Sequence, residues 1–139
     1  MLQQIYPSVA HTYAYELNKD MQFAAAHYIP FDEAGMCQNV HGHTYFVNIT
    51  IAGNALNPLG FLVNFQDIKQ LVHKQYDHTL LNEHPHFKNQ PPSTEVVAKT
   101  IFEIIESHLT TLENQPKILQ VFVRETPTSY VLYRGERHV

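Results

Sequence analysis

The sequence predicts one α+β domain over residues 1–139: a four-stranded antiparallel sheet in the order ββααββ, with two helices on one face. Three observations lead there. Two early segments alternate apolar and polar residues, two central segments repeat apolar residues at helical spacing, and two short alternating segments close the sequence. No stretch has the composition of an interdomain linker, and 139 residues suit a single core.

The first strand is expected within "HTYAYELNKDMQFAAAHY" (11–28), which is aromatic and partly alternating. In "HTYFVNITIAG" (43–53), Tyr45, Val47, Ile49 and Ile51 face one side, and Asn48 and Thr50 the other. "NALNPLG" (54–60) is turn chemistry. "NFQDIKQLVHKQY" (64–76) aligns Phe65, Ile68, Leu71 and Val72 on one helical face, with Asn64 as N-cap. "STEVVAKTIFEIIESHL" (93–109) repeats the pattern with Val97, Ile101, Ile104 and Ile105, capped by Ser93 or Thr94. "ILQVFVRE" (118–125) and "SYVLYR" (129–134) read as strands joined by a turn at Pro127.

Composition narrows the function. The formal net charge of −4 offers no basic footprint for nucleic acid, and no apolar run nears the roughly 20 residues of a membrane span. The start, "MLQQIYPSVAHTY", lacks the charged and apolar regions of a signal peptide. One cysteine cannot form an intramolecular disulfide. Together these point to a cytoplasmic protein. The unusual feature is ten histidines against nine lysines and arginines, and neutral imidazole is the commonest protein ligand for transition metals.

Strand parity places those histidines. His41 and His43 share the parity of Tyr45 and Val47, His27 that of Phe23 and Ala25, and Glu125 that of Val121 and Val123. Three strands therefore carry titratable groups on their apolar side, where such groups are costly unless paired or liganded. Three converging imidazoles with an open fourth position are the pattern of a catalytic zinc; with Cys37 as a fourth ligand they would make a closed structural clip. Spacing leaves both open. Cys37 also reads as a thiolate base beside bound metal. Asp77 next to His78 reads as a proton relay or as a solvated helix end. Glu125 reads as a carboxylate for a ligand with paired N–H donors, such as an aminopyrimidine edge.

"FAAAH" (23–27), "CQNVHGH" (37–43), "DHTLLN" (77–82), "PSTE" (92–95) and "VFVRET" (121–126) follow one another as in the 6-pyruvoyl-tetrahydropterin synthase family, which the protein resembles over about residues 20–126. The three-residue gap between Cys37 and His41 resembles the bacterial branch that makes 6-carboxy-5,6,7,8-tetrahydropterin for queuosine. The resemblance implies a tunnelling fold whose sheets join around a barrel, commonly as a homohexamer with active sites between subunits. It implies zinc on His27, His41 and His43, Cys37 as proton-abstracting thiolate, and Asp77 and His78 as relay. It further implies that Glu125 anchors the pterin ring, helped by Ser93 and Thr94, and that the substrate is 7,8-dihydroneopterin triphosphate. The same site in the pyruvoyl-forming branch would release triphosphate without breaking a carbon–carbon bond. Two departures stand out: Asn64 where the family often has Asp, and Val96 where Asn is frequent. The ten leading residues have no counterpart in the family pattern and read as an N-terminal extension.

Overall fold

The computed structural model describes residues 5–136; the first four residues of the N-terminal extension and the last three of the sequence lie outside them. The strands are β1 (Tyr15–His27), β2 (His41–Gly53), β3 (Thr79–Leu80), β4 (Lys117–Thr126) and β5 (Ser129–Tyr133). The helices are α1 (Phe65–Leu71), α2 (His73–Tyr76) and α3 (Thr94–Leu109). The sheet order is β3-β1-β2-β4-β5. The four long strands pair antiparallel, as their alternation predicts.

Two features differ from expectation. The sheet has five strands rather than four, because Thr79–Leu80 adds to the edge of β1 as a parallel pair with Ala25 and Ala26. The first expected helix is two helices, broken at Val72, whose φ of −120° and ψ of −69° leave the helical region. Val72 still donates its N–H to the Ile68 carbonyl, so the break bends the segment without freeing it.

One face of the sheet meets the helices. Phe23, Tyr45, Val47, Ile49, Ile51, Val121 and Val123 pack there against Ile68, Val72 and Tyr76 of the broken helix and Val97, Ile101 and Ile105 of α3. All are at most 1% exposed, and burying one such residue stabilises the fold by about 1.5–3 kcal/mol. Phe65, expected on this face, is half exposed, with the Lys19 ammonium 5.1 Å from its ring centroid. Asn64 and Ser93 cap α1 and α3 as predicted.

The second face is not open to solvent as the alternation implies. Asn48, Thr50 and Gln120 are buried on it. Asn48 donates to Asp20, Thr50 donates to Asn18, and Gln120 donates to the carbonyl of Pro7. Tyr6 meets the Phe122 ring edge-on at 4.8 Å. The described part of the N-terminal extension thus lies over the sheet as a cover, and the Pro7 carbonyl satisfies an amide that would otherwise be an unpaired buried donor.

The long β1–β2 ribbon positions the functional residues. Its register pairs Phe23 with Tyr45, Ala25 with His43 and His27 with His41, so three histidines gather at the ribbon's open end. The 3₁₀ segment Asp32–Gln38 follows β1, and the Ile29 N–H bonds the Cys37 carbonyl at 2.7 Å.

Candidate functional site

The core layer ends in imidazoles. Beyond the stacked Phe23 and Tyr45 rings, the next residues on the same face of β1 and β2 are Ala25 with His43, then His27 with His41. The rings of His27, His41 and His43 lie 4.5–5.1 Å apart, centroid to centroid. Glu125 reaches the group from β4, and one ligand atom from each of the four residues falls within 4.8 Å of every other.

Hydrogen bonds turn the right nitrogens inward. His27 Nδ1 lies 2.6 Å from the Pro92 carbonyl, and His41 Nδ1 lies 2.7 Å from the Asn39 carbonyl. A carbonyl only accepts, so each Nδ1 donates, leaving Nε2 of the neutral ring with its lone pair. Outer-shell carbonyls of this kind commonly orient metal-bound histidine. Nε2 of His27 and of His43 are buried and make no hydrogen bond of proper geometry. Glu125 Oε1 nevertheless stands 3.3 Å and 2.7 Å from them. Three imidazole nitrogens and a carboxylate fit a divalent cation of zinc's preference.

The electrostatics follow from this crowding. Burial pulls the His27 imidazole down, but Glu125 and the Pro92 carbonyl outweigh it and the net shift is upward. His43 moves down, through burial first and the neighbouring imidazoles after it. Contact with His27 holds the Glu125 carboxyl down to about 2, against its burial and with help from a hydrogen bond donated by Thr94. The buried Tyr45 hydroxyl, without a hydrogen-bond partner, is pushed up by burial and by the Glu125 charge.

The other predicted residues fall into three places. Cys37 is exposed on the 3₁₀ segment and is not a member of the four-residue group, so the fourth donor beside the histidines is Glu125 rather than the thiol. Ser93 Oγ accepts the Val96 N–H as the cap of α3, while the next residue, Thr94, donates to Glu125. Asp77 and His78 sit at the free edge of β1, where the main chain of one residue holds both: the Ala24 N–H donates to Asp77 Oδ1 at 2.9 Å, and the His78 N–H donates to the Ala24 carbonyl at 2.6 Å.

His78 has φ of +60°, a left-handed conformation that, glycine aside, asparagine, aspartate and histidine adopt more readily than other residues. That backbone turn leaves its imidazole 84% exposed, with Nε2 3.5 Å from Asp77 Oδ2. His43 and His78 line the same open depression, along with Ala24, Ala26, Gly42 and Thr44. Hydrogen bonding from Ala24 leads the effects that hold the Asp77 carboxyl below its ordinary value, followed after burial by the charges of His78, His73 and Lys74.

Two contributors escaped the sequence reading. Asn82, the last residue of "DHTLLN", bonds both the N–H and the carbonyl of Tyr28 at 2.9 Å and so extends the edge pairing past β3. His73 sets Nδ1 2.8 Å from the Gln22 carbonyl and Nε2 3.5 Å from Asp77 Oδ2. Its only signal in the sequence is its place one helical turn before Asp77.

Comparison with known proteins places the sequence in a family. The family model described as 6-pyruvoyl tetrahydropterin synthase matches residues 16–136. The protein belongs to the 6-pyruvoyl tetrahydropterin synthase family. It is 58% identical to the 6-carboxy-5,6,7,8-tetrahydropterin synthase of Bacillus subtilis (strain 168), over 99% of this sequence and 97% of that one. It is 30% identical to the protein of the same name from Synechocystis, over 86% and 92%. Among solved structures, the 6-pyruvoyl tetrahydropterin synthase of Caenorhabditis elegans superposes with a TM-score of 0.69 at 26% identity, covering 88% of this protein and 96% of that one. The 6-pyruvoyl tetrahydropterin synthase family thus carries the tunnelling fold expected from the five motifs.

Proposed function

We propose that this protein, as a single domain over residues 1–139, is a zinc-dependent 6-carboxy-5,6,7,8-tetrahydropterin synthase. In this reading 7,8-dihydroneopterin triphosphate and water become 6-carboxytetrahydropterin, acetaldehyde and triphosphate. The observation that carries it is the inward turn of the His27 and His41 Nε2 atoms by the Pro92 and Asn39 carbonyls, in a sequence 58% identical to an enzyme of that name.

Zinc on His27, His41 and His43 would supply Lewis acidity to the hydroxyls of the substrate's propyl tail. The protein's own groups do the rest. Cys37, exposed and outside the metal-ligating group, is free to act as base toward a hydrogen on a carbon of that tail. His78 takes up and returns protons, and Asp77 orients it. Glu125 accepts paired N–H bonds from the pterin, its carboxylate set by Thr94; Ser93 fixes the turn that presents Thr94. The electrons the tail loses on becoming a carboxyl pass to the pterin ring, so no external oxidant or reductant enters.

The site is expected to close between copies of the protein, as a homohexamer. The exposure of Cys37 and His78 supports this. So does the outer edge of β1 from Tyr15 to Ala24, which has no strand partner among the described residues. No helix among the described residues is long and apolar enough to cross a membrane, in keeping with a cytoplasmic site of action.

The deciding test is a product assay on zinc-loaded protein with 7,8-dihydroneopterin triphosphate, read by mass spectrometry and an acetaldehyde assay. 6-Carboxytetrahydropterin with acetaldehyde is the expected result. A 6-pyruvoyl product would move the protein to the pyruvoyl-forming reaction, and no conversion would leave a zinc module without this chemistry. Cys37→Ala should keep zinc and fold while losing about 10²- to 10⁴-fold in turnover; undiminished turnover would remove the thiol from the mechanism.

A further inference from the structure

We propose that His73 is a positioning residue for the Asp77–His78 pair, sharing the Asp77 carboxylate with His78 and so tuning how readily His78 gives up its proton. The inference rests on the relay reading of Asp77 and His78 given above. Asp77 Oδ1 is taken by the Ala24 N–H, and Oδ2 stands 3.5 Å from Nε2 of both His73 and His78. One oxygen therefore faces two imidazoles.

The environment of His73 defines what it brings. Its Nδ1 faces the Gln22 carbonyl at 2.8 Å and its Nε2 faces a carboxylate. Nδ1 donates to the Gln22 carbonyl, and a proton on Nε2 is what would let the ring attract the Asp77 oxygen. The contact with Gln22 ties the start of α2 to the edge of β1, and the ring reaches Asp77 from that anchor. Other charges face this region from each element around it. Lys19 and Asp20 of β1 and Lys69 of α1 line one groove with His73, and Lys74 of α2 acts on Asp77. Of these groups, His73 is the one the structure sets nearest the Asp77 carboxylate.

The consequence is a division of charge. Negative charge on Asp77 favours the protonated form of His78. A protonated His73 would draw on the same oxygen and weaken the hold of Asp77 on His78. Remove the cation, and the full carboxylate charge falls on His78.

The test is His73→Asn in the full-length, zinc-loaded protein. An asparagine amide nitrogen stands close to where Nδ1 stands, so it keeps the bond to Gln22 but does not reach Asp77. Melting temperature, zinc content and elution volume should match the unaltered protein. The acid limb of kcat against pH should move up by about half a unit, an effect of about threefold on that limb, with the alkaline plateau unchanged. A merely structural role would lower turnover equally at every pH, and that outcome, or superimposable profiles, overturns the proposal. His73→Gln, a neutral substitution that still reaches Asp77, should show the same limb shift and serves if the asparagine variant fails to fold. The His78 imidazole is also titrated by ¹⁵N NMR in each variant, a readout that needs no turnover. Loss of activity in the unaltered protein would defeat the functional reading, while an unmoved His78 titration would defeat the role of His73 alone.

Discussion

His27 donates its Nδ1–H to the carbonyl of Pro92 at 2.6 Å, across 65 residues of sequence. The bond joins the end of β1 to the turn before α3 and decides which nitrogen of His27 looks into the group of His27, His41, His43 and Glu125. It also ties "FAAAH" to "PSTE", two motifs that share no secondary-structure element.

His41 should be indispensable for metal. It supplies one of three imidazoles, and its ring is held by the Asn39 carbonyl. His41→Ala should weaken zinc binding by more than about a hundredfold, the upper end of what losing an outer-shell partner alone costs. Zinc content by atomic absorption after dialysis against a weak chelator checks this; full retention would sink the three-histidine site.

Glu125 has two chemistries within reach, a fourth bond to the metal and an anchor for the pterin. Glu125→Gln separates them. As anchor it should leave zinc stoichiometry intact and raise KM by about tenfold or more, since a charge-assisted pair is worth about 1.5–3 kcal/mol. If zinc is lost with KM for the remaining holoenzyme unchanged, the carboxylate is a ligand.

Asp77 predicts a pH dependence of stability. Its folded carboxyl lies below the ordinary value of 3.8, chiefly through the Ala24 N–H. A depressed carboxyl stabilises the fold in full above its unfolded value and loses that contribution as pH falls through the folded one. Asp77→Asn should therefore melt lower than the unaltered protein at pH 6, and the gap should narrow below about pH 4. A gap constant from pH 6 to pH 3 would contradict the assignment.

Ser93 acts on the fold before it acts on any ligand. Its hydroxyl caps α3 through the Val96 N–H at 3.2 Å. Ser93→Ala should cost about 1 kcal/mol of stability, read by urea denaturation, with KM little changed. A rise in KM without loss of stability would instead give the hydroxyl to the substrate.

Much of this was legible from strand parity. His27, His41 and His43 share the buried faces of their strands with Phe23 and Tyr45, and alternation alone reveals that. The place of Glu125 among them was not legible, because parity states a face and not a level. The pairing of Phe46 with Arg124 and Val47 with Val123 brings Glu125 level with the histidine end of β2. The break at Val72 carries no proline or glycine to announce it. The burial of Asn48, Thr50 and Gln120 was hidden too, since their cover comes from far away in the sequence, at Tyr6 and Pro7. Nor does every histidine join the group that could hold a metal, for His84 and His86 pack on Tyr76 instead.

The main chain of Ala24 gives the site an all-or-none character. It holds Asp77 through its N–H and His78 through its carbonyl, and it lies three residues before His27. Because these are backbone contacts, most substitutions at position 24 leave them standing, whereas proline there would delete the donor to Asp77. Opening the last few rungs of β1 would release His27 and the Asp77–His78 pair in one event. Amide exchange at Ala24, Ala26 and Tyr28 should then report a single protection level, and the molecule would have no intermediate that keeps one half of its chemistry without the other.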